Sequence, residues 1–326
     1  MDLKKQIFDI KDKNQFSDLA LAIFKYQYDH IKYYREFCSH LKVNKKDVDH
    51  VDAIPYLPIQ FFKSHKLLSK SHYSKVFLSS GTTQQERSKH FVYDLDIYKK
   101  SFVNAFNAFY GNPKDFLIAA ILPGYVDNPN SSLLYMVDHL INSSIHDLSG
   151  FYDYDDDEIV NKLKQIQSSG AQHKIIIGVS FALLEIAEQL SVDLSDCIIM
   201  ETGGMKGKRQ ELVREELHNI LKTSFKVDDI HSEYGMTELL SQAYSKGNGV
   251  FDTPNSMDVR IRDIYQPMSL LPNGQAGGIN IIDLSNLYSV SFIATQDLGK
   301  KLNSNQFEVI GRFDHSDIRG CNLLIS

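Results

Sequence analysis

Between residues 116 and 221 the chain alternates short apolar runs with longer amphipathic stretches, and this alternation restricts its fold more than any other feature. The runs at 116–122, 174–178 and 197–202, with a further one at 289–294, read as buried strands. The stretches at 131–142, 156–167, 181–190 and 208–221 carry apolar residues at helical spacing. Such alternation predicts an α/β core with helices packed on a largely parallel sheet. Ligands of such sheets sit beyond the carboxyl ends of the strands.

The flanks differ. Over residues 16–41, Leu19, Ile23, Phe24, Ile31, Tyr34, Phe37 and Leu41 recur at helical spacing with Lys, Asp and Glu between them. Ile54-Pro55-Tyr56-Leu57-Pro58 interrupts any helix, because proline lacks an amide donor and restricts the residue before it. This places a boundary near residues 50–70 and predicts a helical segment over 1–65, with the core over 66–326. After residue 270, Leu271-Pro272-Asn273-Gly274 and Ala276-Gly277-Gly278 separate closely spaced strands, as in antiparallel pairs or a small distorted barrel. A length of 326 residues fits one large domain with an appended segment, or two unequal domains.

With 43% apolar and 23% charged residues, no low-complexity tract and no internal repeat, the chain needs no partner to fold. A net charge of −6 and a pI near 6.0 argue against a generic nucleic-acid binder. No run of eighteen apolar residues offers a membrane span, and the charged start, residues 1–12, is unlike a secretory signal. Cys38, Cys197 and Cys321 are too few and too scattered for a disulfide framework or a zinc site. A cytoplasmic protein with reduced thiols is expected, with Cys38 and Cys197 buried as small hydrophobes.

Three local patterns carry chemistry. Phe77-Leu78-Ser79-Ser80-Gly81-Thr82-Thr83 is an apolar strand opening into a glycine-centred hydroxyl loop, followed by Arg87, Ser88 and Lys89. Exposed amides, hydroxyl donors and a nearby cation suit a polyphosphate, but a solvent-exposed Ser/Thr turn has the same composition. It is not a Walker A loop, since G-x-x-x-x-G-K-[ST] is absent. Glu233-Tyr234-Gly235-Met236-Thr237-Glu238 follows a strand-like stretch at 227–231 and offers an aromatic ring, a close-approach glycine, a hydroxyl and a metal-binding carboxylate. A strand-to-helix turn in which Thr237 and Glu238 merely cap is the alternative. Thr295-Gln296-Asp297-Leu298-Gly299, then Gly311-Arg312-Phe313-Asp314, pair a carboxylate able to accept ribose hydroxyls with an arginine, though such turns are common.

In this order, over residues 55–326, the motifs resemble the adenylate-forming superfamily of acyl-CoA synthetases, luciferases and peptide-synthetase adenylation domains. Ser79-Ser80-Gly81-Thr82-Thr83 with Ser88-Lys89-His90, and the ending Ser316-Asp317-Ile318-Arg319-Gly320-Cys321, look most like the acyl-protein synthetase family. That family holds the fatty-acid-activating component of the luminescence fatty acid reductase; a phenylacetate-CoA ligase-like protein is the competing relative. The resemblance implies the superfamily's large N-terminal domain, with mixed and parallel sheets, flanking helices and a small distorted β-barrel. It implies ATP, AMP and Mg²⁺ as cofactors and the formation of an acyl-adenylate from a carboxylic acid, with a fatty acid as the substrate inherited from the family. Ser79, Ser80, Gly81, Thr82 and Thr83 would hold the β- and γ-phosphates, with Lys89 as a further cation. Tyr234 would flank the adenine beside Gly235, Thr237 would contact the α-phosphate and Glu238 would hold Mg²⁺. Asp297 would bind the ribose with Arg312 beside it, and Gly203 and Gly204 would admit the nucleotide to the backbone unless they form a plain strand-end turn. His231 or His90 would assist charge neutralisation, although lone histidines more often pack or face solvent.

Two departures stand out. Gln84, Gln85 and Glu86 follow the double threonine where many members have glycine, and residues after Asp314 leave no room for the small C-terminal domain and its lysine. By resemblance, Cys321 is a candidate acyl carrier that hands its group to a partner reductase. An acyl carrier protein, coenzyme A or a sugar is the alternative acceptor, and a non-catalytic nucleotide-binding subunit of an acyl reductase complex is the third reading. Phe181, Leu184, Leu239 and residues 131–136 are candidates for an apolar acyl tunnel or for plain core.

Overall fold

Six apolar residues in succession, every one of them buried, make Phe116–Ile121 a strand that has neighbours on both faces. In the computed structural model, which describes residues 2–80, 87–124, 128–189, 192–203 and 212–313, it pairs in parallel with Gly150–Phe151 on one side and His173–Val179 on the other. Ile198–Thr202 and Ile230–Tyr234 continue the parallel order. Two short antiparallel strands, Ala243–Ser245 and Val250–Asp252, follow. The connections are the helices Ser132–Ser143, Ile159–Ser168, Ser180–Gln189 and Arg214–Phe225. These strands and helices, with helix Leu95–Phe109 and the antiparallel pair Lys75–Leu78 and Lys89–Val92, form a compact unit over residues 72–254, here called unit B.

Most expected elements are present, with shifted ends. The helix expected over 208–221 begins at Arg214, after Val213 in extended backbone, and Glu215 and Glu216 occupy its first turn, where acidic side chains suit the helix dipole. It runs on to Phe225 and stops at Lys226, which has a left-handed φ of 57°. The strand expected at 227–231 lies at Ile230–Tyr234, so Glu233 and Tyr234 belong to the strand itself.

Unit A comprises residues 1–71 and 255–326. Compactness thus divides the chain differently from a linear boundary near residue 66. The helical segment is real: Lys13–His30, capped by Asp12, and Lys32–His40. It packs against an antiparallel meander of Met257–Arg262, Ala276–Asp283, Phe292–Lys301 and Gln306–Arg312, with Leu57–Pro58 parallel to the third strand. The antiparallel strands therefore begin before residue 270, and the run at 289–294 becomes the ten-residue strand Phe292–Lys301. Gln27, fully buried, ties helix to meander: its Nε2 donates to the carbonyls of Asn286 and Leu287 and to Ser291 Oγ, and its Oε1 accepts from Ser291 N–H. No described helix is long and apolar enough to cross a membrane.

Candidate functional site

In unit B the hydroxyl-rich loop rises from the Lys75–Leu78 and Lys89–Val92 pair, with Leu78 opposite Lys89. Ser79 closes its base twice, its N–H donating to Ser88 O (3.1 Å) and its hydroxyl accepting from Ser88 N–H (2.9 Å). Leu78 N–H donates to Asn130 O at 2.9 Å, anchoring the pair to the segment that leads into helix Ser132–Ser143. His90 anchors the other side: fully buried, its Nδ1 lies 2.8 Å from the Thr237 carbonyl. Burial pushes its pKa down to about 4 against the effect of that hydrogen bond, so the ring is neutral at pH 7 and Nδ1–H is the donor.

These anchors border a cavity of about 170 Å³. One wall is the carboxyl ends of parallel strands, at Val179, Thr202 with Gly203, and Glu233 with Gly235, as the topology predicts for a ligand. Opposite stand Leu78, Ser80 and the start of helix Ser132–Ser143, where Ser131 Oγ accepts from Leu134 N–H at 3.3 Å. The positive end of that helix dipole favours an anion. Met236, Thr237, Tyr98 and Gln242 complete the lining.

Glu233 is the carboxyl group of this wall. Its Oε2 accepts a hydrogen bond from Thr202 Oγ1. Burial raises its pKa to about 7, the Thr202 hydroxyl opposes that shift, and the neighbouring Glu201 adds to it. Glu201 is itself buried, accepting from Ser180 Oγ at 3.0 Å and lying 3.7 Å from His218 Nε2. Gly203 has φ 68°, a conformation suited to glycine, and its carbonyl accepts from Ser180 Oγ at 2.6 Å.

Of the residues singled out in the sequence, Ser80, Gly203, Gly235 and Thr237 meet at this cavity. Ser79 is spent on the loop base, and Lys89 is exposed at the start of its strand. Tyr234 is buried on the opposite face of its strand, edge-on to Phe251 at 5.8 Å. Glu238 is 6% exposed and is not among the described lining residues. His231 lies one strand repeat before Glu233, with Nδ1 3.1 Å from Tyr110 Oη, and burial lowers its pKa to about 4. Gly81, Thr82, Thr83, Gly204 and Cys321 lie outside the described residues.

Asp297 and Arg312 belong to unit A, where they face each other across antiparallel strands with Arg312 Nε 3.6 Å from Asp297 Oδ1. They lie within strands rather than in turns. Gly299 allows the bulge there, since a Cβ would come within 2.4 Å of the Glu308 carbonyl oxygen. Of the tunnel candidates, residues 131–134 and Met136 line the cavity, whereas Phe181, Leu184 and Leu239 are buried core outside its described lining. Sequence reading assigned no role to Glu233, Thr202, Tyr98 or Gln242. The first two are visible only as strand-end residues, and the others carry no local signal.

Residues 7–100 match the model of the acyl-protein synthetase family, LuxE. Among curated proteins none matches by sequence. Among solved structures the chain is similar to an open conformation of 2-hydroxyisobutyryl-CoA ligase in complex with 2-HIB-AMP and CoA. The TM-score is 0.69 at 10% identity, covering 94% of this chain and 72% of that one. It is also similar to ATP-bound MatB from Rhodopseudomonas palustris, with a TM-score of 0.55 at 15% identity, covering 73% of this chain. The chain spans 47% of the length of MatB. Residues 7–100 thus match the acyl-protein synthetase family, and the chain shares its fold with 2-hydroxyisobutyryl-CoA ligase and MatB.

Proposed function

We propose that this chain uses ATP to activate a carboxylic acid as an acyl-adenylate and then passes the acyl group to a thiol. The observation that carries this reading is the meeting of Ser80, the Gly235–Thr237 turn, the Thr202–Gly203 strand end and a helix N-terminus around one cavity. The match of residues 7–100 and the ATP and acyl-adenylate named for the similar structures support it.

In the first step a carboxylate oxygen of the acid attacks the α-phosphorus, an O–P bond forms, the bond to the bridging oxygen breaks and pyrophosphate leaves. No protein nucleophile is needed; the protein aligns two anions and offsets their charge. The Ser80 and Thr237 hydroxyls and the start of helix Ser132–Ser143 supply donors and positive potential. In the second step a thiolate attacks the acyl carbon and AMP leaves. Asp297, with Arg312 beside it, is proposed to accept the ribose hydroxyls on the strength of its motif.

The residues fit a Mg²⁺ ion of the kind held by one or two carboxylates and by phosphate oxygens. The Glu233 carboxyl lines the cavity, and no cage of three acidic, His or Cys side chains exists among the described residues. When bound, such an ion neutralises developing phosphate charge. Glu233 is better placed for it than the buried Glu238.

For the acceptor we favour Cys321 over the other thiols, because Cys38 and Cys197 are buried and burial pushes both up to about 12. Coenzyme A or an acyl carrier protein is the alternative. A cytoplasmic location belongs to this reading, on the few and scattered cysteines.

Acid-dependent exchange of labelled pyrophosphate into ATP tests the first step. The expected result is exchange that falls about 10²-fold or more in Thr237→Ala, as when a donor to a reacting oxyanion is lost. ATP binding without exchange for any acid sinks the proposal. Loss of acyl labelling in Cys321→Ser, with exchange intact, assigns that thiol.

A further inference from the structure

Resting on the adenylation reading, we infer that the acid accepted here is small and polar: a carboxylic acid of roughly six to eight heavy atoms carrying a hydroxyl or amide N–H that donates to the side-chain carbonyl of Gln242.

Size is the first argument. An apolar cavity of about 150 Å³ accepts a benzene ring, six heavy atoms. The cavity in unit B measures about 170 Å³ and must also admit the reacting carboxylate and the phosphate it attacks, so that size is an upper bound. Among the described lining residues, Tyr98, Val179, Met136 and Gln242 are at most 3% exposed and close the cavity on their side. Phe181, Leu184 and Leu239, the residues that would extend an apolar tunnel, are packed in the core instead.

The second argument is chemical. Gln242 is a buried lining residue whose Oε1 has no hydrogen-bond partner. Buried polar atoms are seldom left so, because the loss of water is then uncompensated. The fully buried Gln27 is a contrast: both ends of its amide are bonded within the protein. Gln242 Cγ would lie 3.3 Å from a Cβ at Gly235, so the amide sits under the turn that leads to Thr237. Thr237 and Gln242 line the same cavity, so a short acid can set its carboxylate at the one and a hydrogen-bond donor at the other, with Leu133, Leu134 and Met136 as the apolar lining for its hydrocarbon. A site built around a substrate hydrogen bond discriminates strongly against analogues lacking it.

The test uses the full chain with ATP and Mg²⁺ and a panel of 2- and 3-hydroxybutanoate, succinamate, butanoate and tetradecanoate. Pyrophosphate exchange gives kcat and KM, and calorimetry gives acid binding directly. The expected result is a preference of about tenfold or more in kcat/KM for one of the hydroxylated or amide-bearing acids over butanoate, with tetradecanoate excluded. Gln242→Met, close in shape, should erase that preference through KM, raising KM for the hydroxylated or amide-bearing acid about tenfold more than KM for butanoate. Gln242→Asn, which keeps the amide, should retain part of it, and thermal melts establish that both variants fold. Exchange of tetradecanoate as efficient as that of any short acid overturns the inference but leaves adenylation standing. So does an equal loss for all acids in Gln242→Met, which would mean a structural amide satisfied by water. If no acid supports exchange although ATP binds, the adenylation reading has failed. Calorimetry then decides the pocket: binding of a polar short acid that weakens about tenfold in Gln242→Met sustains it, and no binding, or binding indifferent to the substitution, overturns it.

Discussion

Glu233 and Tyr234 are adjacent in the chain and face opposite ways, because successive side chains alternate along a strand. Glu233 takes the cavity side with Thr202, and Tyr234 is buried against Phe251. The next residue makes the first arrangement feasible: a Cβ at Gly235 would lie 2.3 Å from Glu233 Oε1. Gly235→Ala should therefore push the carboxyl group off Thr202. We expect pyrophosphate exchange to fall at least tenfold, while Gly170→Ala, where a methyl meets open space at an ordinary φ, leaves exchange unchanged. Equal effects of the two would refute this role for Gly235. The glycine is legible in the sequence as a close-approach position, but sequence order suggests the nucleotide as the group that approaches. The nearer neighbour is the protein's own Glu233. Gln242 was illegible for a different reason: its significance lies in a missing partner, which no local pattern records.

At the scale of elements, the strand pair that bears the hydroxyl loop is held at three points, through Ser79, Leu78 and His90. Ser79→Ala removes a half-buried hydroxyl that accepts from Ser88 N–H, a loss of about 0.5–1.5 kcal/mol by ordinary hydrogen-bond energetics. If the serine acts as a clamp, KM for ATP should rise several-fold and KM for the acid should stay put. Unchanged ATP kinetics would show the loop indifferent to its base. The strands and helices of unit B were legible because buried runs and 3.6-residue periodicity survive in one sequence. Their ends were not, since Arg214 starts its helix only where extended Val213 yields to the acidic first turn. The register that sets Asp297 opposite Arg312 was also out of reach, because it depends on a bulge at Leu298 and Gly299 rather than on spacing.

The molecule as a whole invests charge in unit A. Asp258, 2% exposed, is met by Arg260 Nη1, by Lys301 Nζ at 2.8 Å and by Lys13 Nζ at 3.9 Å, while Arg260 Nε also holds Asp52 at 2.7 Å. Burial alone would raise the Asp258 pKa, but Arg260, Lys301 and Lys13 outweigh it and hold the carboxyl below its ordinary value. The native state then binds fewer protons than the unfolded chain. The stabilisation is complete above the unfolded carboxyl value of about 3.9 and is lost as pH falls through the lower native value. Cys38, buried in unit A with its thiol pushed up to about 12 by burial, supplies a reporter, since its alkylation requires opening. Protection of Cys38 should fall steeply below about pH 4 in wild type. In Asp258→Asn it should be lower at pH 7, by an opening free energy of about 3–5 kcal/mol, and nearly flat toward acid. A wild-type profile with no acid limb would remove Asp258 from this account.

Gln27 also has a consequence in time. Its partners Asn286, Leu287 and Ser291 lie 259, 260 and 264 positions downstream. A ribosome adding about 5–20 residues per second reaches them tens of seconds after it has made the helix that carries Gln27. Residues 72–254 are continuous and gather their own contacts as they emerge, whereas the helix that carries Gln27 waits with its apolar stripe uncovered until its partners arrive. The helix that carries Gln27 is thus made well before the residues that cover it, and its apolar stripe is open to chaperones and proteases throughout that interval.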